Sequence, residues 1–437
     1  MRFKALFPGV AVLCLMSAAC GHAEMQGSPS AFPTSGPESS EPSVKLTATA
    51  VATPSADVSP DPQSRFPQED QWGVYIMRPD GSELRRLTTG SSWILGWLPD
   101  AEHIAVSIPR AGGDSTTLVI ADSSGETEPH TILTIPGLWT SARLSPDGKW
   151  LAYVRSDKKT PANGPEEFQP VALEIASLAD GSTRRLLDRE FRFLDWAPDS
   201  RSLAVQIGTG DIETQQLEVI TLNEPPTVTQ VTTGNSPLWS PTGNRIVFGR
   251  PTAEDSRTKM SLFVVDHEGG PALRIATNFP GGFQPHLRWS PDDAFIIADG
   301  GYEEQLFRYS VFSPGLPKVL GTGIRPQLDP SGKRVACFSW EESGNRAVKV
   351  VDIDGTGQRI VQGGIGYFDG TLSWSPDSRV LVYAASEGKV ASTGIYAADL
   401  ATGEHRLLFD DITWEWQPVW SPDGEWIAFV REGPPRS

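Results

Sequence analysis

Cysteine is nearly absent from this chain. Three occur in 437 residues. Cys14 and Cys20 lie in the first twenty positions, so no disulfide framework supports the rest of the chain. Cys337 stands alone in the apolar run Arg334-Val-Ala-Cys-Phe and reads as a small buried residue, not a nucleophile. Basic residues are also scarce, 37 against 54 acids for a net charge of −17, and no basic stripe interrupts the balance. Such a surface repels phosphate backbones and excludes nucleic acid as a partner. The six histidines are scattered at His22, His103, His130, His267, His286 and His405. Neither H-E-x-x-H nor a paired C-x-x-C is present, so no metal site and no cofactor is expected. No G-x-S-x-G nucleophile elbow occurs. The segment from Asp352 to Gly357 places its glycine too early for a calcium loop, while Gly208-Thr-Gly210 and Gly321-Thr-Gly323 lack the helix that a phosphate loop requires. Long hydrophobic runs are missing too. The stretch from Ala5 to Met16 contains Pro8-Gly9 and falls short of the roughly 18–20 apolar residues of a membrane-spanning helix.

What the chain has in abundance is one repeated phrase. An aromatic or leucine precedes a Ser-Pro-Asp-Gly-like turn and an apolar run, eight times, beginning at Trp97, Leu144, Trp196, Trp239, Trp289, Leu328, Trp374 and Trp420. The copies are 39 to 52 residues apart, a period of propellers and solenoids. Within the phrase, proline suits the second position of a type I turn and glycine tolerates a left-handed fourth position. The runs that follow, such as Trp150 to Val154 and Trp426 to Val430, read as strands. A second hairpin comes next, as in Leu262 to Asp266 before Gly269-Gly270 and Val348 to Asp352 before Gly355. Four antiparallel strands per repeat make one propeller blade.

The chain ends supply the missing halves of one further blade. Trp72 to Thr88 is a second half without a first, and Glu425 to Glu432 is a strand without its outer partners. Joined, they complete an all-β, eight-bladed β-propeller whose closing blade is shared between N- and C-terminal strands, leaving no exposed inner edge. The repeated tryptophans are expected to pack between adjacent blades.

The phrases W-S-P-D-G-x-x-I-A-F and D-G-x-x-x-R-x-L-T resemble the WD-like Pro-Asp repeats of TolB-type β-propellers, across nearly all of residues 70–432. The resemblance implies the fold and, by analogy, an association with other proteins of the bacterial envelope. TolB itself joins a smaller propeller to a preceding α/β domain, whereas this chain has only low-complexity sequence there.

Residues 1–19 resemble a bacterial lipoprotein signal. Arg2 and Lys4 precede the apolar stretch, and Ser17-Ala18-Ala19 leads into Cys20, which cleavage would leave as a lipidated N-terminus. Ser17 departs from the aliphatic residue usual at that place. Residues 20–69 are rich in Ser, Pro, Thr, Ala and Glu and too poor in bulky apolar side chains to offset ordering entropy, so a disordered linker is expected. Residues 70–432 form the propeller and 433–437 a short tail. The expected location is the outer side of a bacterial membrane, periplasm or cell surface, held by the lipid.

One feature exceeds what the fold needs. Just upstream of most phrases, where the inter-blade loop enters the innermost strand, lie Trp93, Trp139, Phe191, Phe283, Tyr367, Phe368, Trp414 and Trp416, with His286 and Arg325 as polar neighbours. These loops share one face of a propeller, so the side chains make a candidate ligand-binding collar at its mouth. The competing reading wedges the rings between blades. With no catalytic residue nominated, the expected function is a binding or scaffold module for an envelope protein or peptide; the alternative is an envelope glycan-binding protein or polysaccharide lyase.

Overall fold

The computed structural model describes residues 71–432, apart from 111–114, 137–141, 160–166, 190, 209–214, 256–258, 280–285, 301–303, 342–343, 388–391 and 412. All of them belong to one compact unit, Phe66–Ser437. Cys20, the signal segment, the linker and the tail lie outside the described residues.

The phrase folds as its residue types require. In the turn at Ser145, the amide of Gly148 donates to the Ser145 carbonyl at 2.9 Å, and the Ser145 Oγ accepts from the amide of Trp150 at 2.9 Å, so serine closes the corner twice. Ser375 and Ser421 make the same side-chain bond with Val380 and Trp426. The fourth residue is left-handed in all eight copies, with φ between 57° and 81°. Glycine fills it at Gly148, Gly243, Gly332 and Gly424, and alternates with Ala101, Ser200, Asp293 and Ser378. The polar members of the second set offset their backbone strain by capping the preceding turn. Ser200 Oγ accepts from the amide of Asp147 at 2.9 Å, Asp293 Oδ1 from that of Thr242 at 3.2 Å, and Ser378 Oγ from that of Ser331 at 3.1 Å.

Each turn joins the first two strands of an antiparallel four-stranded sheet. In one such sheet Asn235–Trp239, Arg245–Arg250, Met260–Asp266 and Leu273–Phe279 pair in chain order. Among the described residues six sheets have four strands and one has seven. In the seven-stranded sheet Arg359–Trp374 is the outermost strand of one four-strand run and continues as the innermost strand of the next. The closing sheet is built from both ends of the folded chain. Gly73–Met77 lies between Arg85–Arg86 and Ile427–Glu432, which pairs in turn with Trp414–Trp420.

The middle strands are apolar throughout because both faces are covered. Ile246, Val247 and Phe248 are fully buried, as are Ala428, Phe429 and Val430. The apolar clusters lie between successive sheets, Val247 and Leu262 meeting Trp289 and Tyr309 in one of them. Another joins the closing sheet to the first, with Val74 and Ala428 against Ile104 and Val119. The phrase tryptophans sit in these interfaces. Trp196, Trp239, Trp289, Trp374 and Trp420 are buried, and the indole N–H of Trp196 donates to the Arg143 carbonyl of the preceding sheet at 2.9 Å. Trp289 and Trp374 do the same to Leu238 and Gln327 at 3.2 and 3.0 Å, and Trp97 reaches the Val419 carbonyl of the closing sheet at 3.3 Å. Repeated four-stranded antiparallel sheets, packed face to face and locked by a sheet shared between the two ends, are the architecture of a β-propeller.

Candidate ligand-binding mouth

Six of the innermost strands begin with a β-bulge, and the bulge sets the local geometry of the candidate site. Pairing slips between Ile94 and Gly96, Asn235 and Leu238, Ile324 and Gln327, Phe368 and Leu372, and Trp416 and Val419. At these bulges Ser236, Arg325 and Gln417 take left-handed φ values of 50°, 53° and 55°. A bulge re-aims side chains that a regular strand would alternate from face to face. Each of these strained residues is tied to a neighbouring sheet. Gln417 bridges to Ile94 twice, its Oε1 accepting from the Ile94 amide at 3.0 Å and its Nε2 donating to the Ile94 carbonyl at 2.8 Å. The amide of Ser236 donates to Gln206 Oε1 at 2.9 Å, and that of Arg325 to Asp299 Oδ2 at 2.7 Å.

Four of the expected collar residues meet in two pairs across successive sheets. Tyr367 and Trp414 have ring centroids 5.2 Å apart, and Trp416 meets Trp93 edge-on at 6.2 Å. All four are half-buried, and Trp416 also packs against the apolar cluster between the closing sheet and the first. Phe368 is different: it stacks at 3.9 Å on the fully buried Phe338, with the Arg346 guanidinium 5.0 Å away on its ring. Phe191 corrects the expectation outright. It is 1% exposed and belongs to the apolar cluster with Val205 and Leu173, because the strand Phe191–Trp196 turns that ring into the interface and not to the mouth. Trp139 and Phe283 lie outside the described residues.

The polar neighbours are organised by a residue that the chain's repeat pattern does not single out. Asp299, at the end of the strand Phe295–Asp299, is only 2% exposed, and its Oδ2 accepts from His286 Nδ1 at 2.8 Å as well as from the Arg325 amide. His286 is half-exposed, so the buried carboxylate fixes the ring and Nε2 is the atom left for a ligand. Arg325 extends along the seven-stranded sheet to its second run, where a Cβ on Gly370 would fall on its guanidinium, and Gly370 is itself left-handed at φ 88°. Glycine is required there on both counts.

Between the two tryptophans of the closing sheet sits Glu415, fully buried. Its backbone N–H donates to Thr393 Oγ1 at 2.7 Å, and that hydroxyl donates to the Glu415 carbonyl at 2.6 Å. The Thr413 hydroxyl donates to Oε1, while Oε2 has no hydrogen-bond partner among the described residues. Burial pushes the carboxyl up to about 8 against the opposing pull of Thr413 and Arg431, with Asp410 and Asp411 adding to the rise. Arg431 is held by Asp411 and by Thr413 Oγ1, so the guanidinium faces a shared acidic set. Cys337 is buried and its thiol is pushed up to about 12 by that burial. Among the described residues no group of three or more His, Cys, Asp or Glu side chains has the arrangement of a metal site.

No protein-family model matches the chain. An uncharacterized protein of Agrobacterium fabrum is 27% identical over 164 residues, covering 36% of this chain and 53% of that protein, so the chain spans about half the length of the curated relative it matches. Among solved structures, dipeptidyl peptidase 4 of Porphyromonas gingivalis is 13% identical with a TM-score of 0.53, over 82% of this chain and 55% of that one. TolB of Acinetobacter baumannii is 18% identical over 75% of this chain and 79% of its own, with a TM-score of 0.37. The likeness to the dipeptidyl peptidase is one of fold alone.

Proposed function

We propose that residues 70–432 form an eight-bladed propeller, carried on a lipidated Cys20 and a linker at the outer side of a bacterial membrane, that binds or scaffolds an envelope protein or peptide through its mouth. The blade number is supported by the eight turns with a left-handed fourth residue, and by the division of the seven-stranded sheet into two runs at Arg359–Trp374. The observation that carries the function is the pairing of half-buried rings, Tyr367 with Trp414 and Trp416 with Trp93, on consecutive sheets at one end of the strands. Flat rings held by bulges and by Gln417 give contact area with little entropy left to lose on binding. The activity proposed is binding, not catalysis.

The glycan reading draws on His286, since a ring oriented by the buried Asp299 suits proton transfer or recognition of sugar hydroxyls. Immobilised protein and its Trp414→Ala/Trp416→Ala double variant, exposed to detergent-solubilised envelope fractions and to a glycan array, separate the readings. A protein or peptide retained by the wild type and lost by the variant supports the proposal. Retention of glycans alone favours the alternative, and identical retention by both proteins overturns the mouth as the site.

A further inference from the structure

Where the strand Trp414–Trp420 starts, Thr393 of the seven-stranded sheet fastens it to its neighbour. The Thr393 hydroxyl accepts from the Glu415 amide and donates to the Glu415 carbonyl, and the Thr393 amide donates to the Thr413 carbonyl at 3.3 Å. Trp414 and Trp416 stand on either side of Glu415, and their rings pair with Tyr367 and Trp93. The Glu415 carboxyl is poorly placed to be an anion. Thr413 donates to one of its oxygens, and the other, closed to solvent, meets no donor among the described residues. Charged groups approach it from the strands packed around it. Asp410 ends His405–Asp410 and Asp411 follows, while Arg431 and Glu432 end Ile427–Glu432. Arg431 is the cation of this set, and Asp411 and Thr413 already hold it. Glu432 lies opposite Trp414 in the ladder, accepts from the Ser91 hydroxyl at 2.9 Å, and is itself pushed up by burial.

Loss of the Glu415 proton sets a charge where solvent does not reach and where the nearby guanidinium is engaged. A buried charge without a donor is relieved by reaching water. The strand start is built to let it, because the slip in pairing between Trp416 and Val419 separates Trp414, Glu415 and Trp416 from the rest of the strand. We infer that Glu415 is a proton-operated latch on the ring pairs: protonated, it stays in the interface and keeps Trp414 and Trp416 against Tyr367 and Trp93; deprotonated, it swings out with the strand start, and both pairs part. The proton balance sets the direction. Burial holds the carboxyl up to about 8, whereas one exposed by opening returns to near 4.5. Across that interval each pH unit favours the open form tenfold, about 3.5 decades in all, and above about 8 the gain stops. Opening therefore belongs to the neutral and mildly alkaline range, and acid closes the latch. Control of binding by this latch rests on the role proposed above, while the movement of the rings does not.

The test uses the full-length protein labelled with 5-fluorotryptophan, without any ligand, so the binding role and the latch can fail separately. Trp414→Phe and Trp416→Phe assign two of the fourteen indole fluorine resonances, and fluorine NMR follows all of them from about pH 6 to 9. The Trp414 and Trp416 resonances are expected to move together towards the position of solvent-exposed fluorotryptophan as pH rises, to level off above about 8, and to return on acidification, while the buried indoles stay where they are. Glu415→Gln should hold both rings in place at every pH, and Glu432→Gln should leave the transition as it is in the wild type. Rings that stay still in the wild type overturn the latch even where urea denaturation shows the carboxyl titrating, since Arg431 has then accommodated the charge without opening. A transition that persists in Glu415→Gln, or vanishes in Glu432→Gln, belongs to another group and overturns the assignment. One shared by all the indoles, or not reversed by acid, is unfolding and overturns the inference as well.

Discussion

Replacing Glu415 by glutamine should make this protein more stable at neutral and alkaline pH, although the substitution removes a residue with several polar neighbours. Glutamine keeps the shape and the acceptor for the Thr413 hydroxyl and cannot ionise, while its amide puts two N–H donors at the partnerless Oε2 position where the protonated carboxyl has one O–H, a cost that does not change with pH. In the unfolded chain Glu415 loses its proton near the ordinary value of 4.5, whereas the folded protein holds it until about 8. Between those two values the unfolded state binds fewer protons, so the carboxyl draws stability down as pH rises and ceases to do so above about 8. At about 1.36 kcal/mol for each pH unit, the ceiling on the loss is about 5 kcal/mol. Relaxation around a charged Glu415, helped by Arg431, will lower it. Urea denaturation of both proteins from pH 5 to 9 reads the effect as a difference, which cancels every other titrating group. The two should agree within about 1 kcal/mol at pH 5, and the variant should lead by roughly 2–5 kcal/mol at pH 8, with no further divergence above that. Parallel profiles across the whole range would refute the claim that this carboxyl is buried and protonated.

Three further outcomes follow from other parts of the molecule. Ala101→Gly should stabilise by roughly 0.5–1 kcal/mol, because alanine at φ 61° is strained, whereas Ser378→Gly should gain nothing or lose, since it deletes the acceptor for the Ser331 amide. Urea midpoints in the opposite order would contradict the capping role of the fourth turn residue. Deleting residues 71–90 removes Gly73–Met77 and Arg85–Arg86 and leaves Ile427–Glu432 as an open apolar edge. Light scattering should then report aggregation, and a monomeric variant with an unchanged melting curve would count against the shared sheet as a lock. Mass spectrometry of the N-terminus should find acyl chains on Cys20 in the wild type and none in Cys20→Ser; a wild-type terminus without them ends the lipoprotein proposal.

Most of the architecture was legible because it is written in local chemistry. A serine whose hydroxyl closes the turn recurs in five of the eight phrases and an apolar run that must be covered follows each of them, and the orphan halves at Trp72 and Glu425 do meet in one sheet. The candidate site was legible only in part. Position upstream of the phrase named Tyr367, Trp414, Trp416 and Trp93, whose rings meet in pairs, but the same rule named Phe191, whose strand directs it into the core. Position along the chain does not tell which side of a bulge a ring takes, since that depends on the local slip in pairing. Asp299, Gln417 and Gly370 escaped notice for a related reason. Their roles are bonds and clearances to a neighbouring sheet, some 30 to over 300 residues away in the chain, and nothing local to them records the partner.

The strand Gly73–Met77 has all five residues buried, and its long-range partner Ile427–Glu432 is the last strand of the chain. On the ribosome these two are made at opposite ends of the job. At roughly 5–20 residues per second, the first strand waits on the order of 20–70 s for the last to emerge. For that interval Val74, Tyr75, Ile76 and Met77 have no sheet to join, and the half-built series of blades presents two sticky flanks instead of a seam. Slowing translation should therefore raise the yield lost to aggregates more than it would for a fold assembled from neighbours alone.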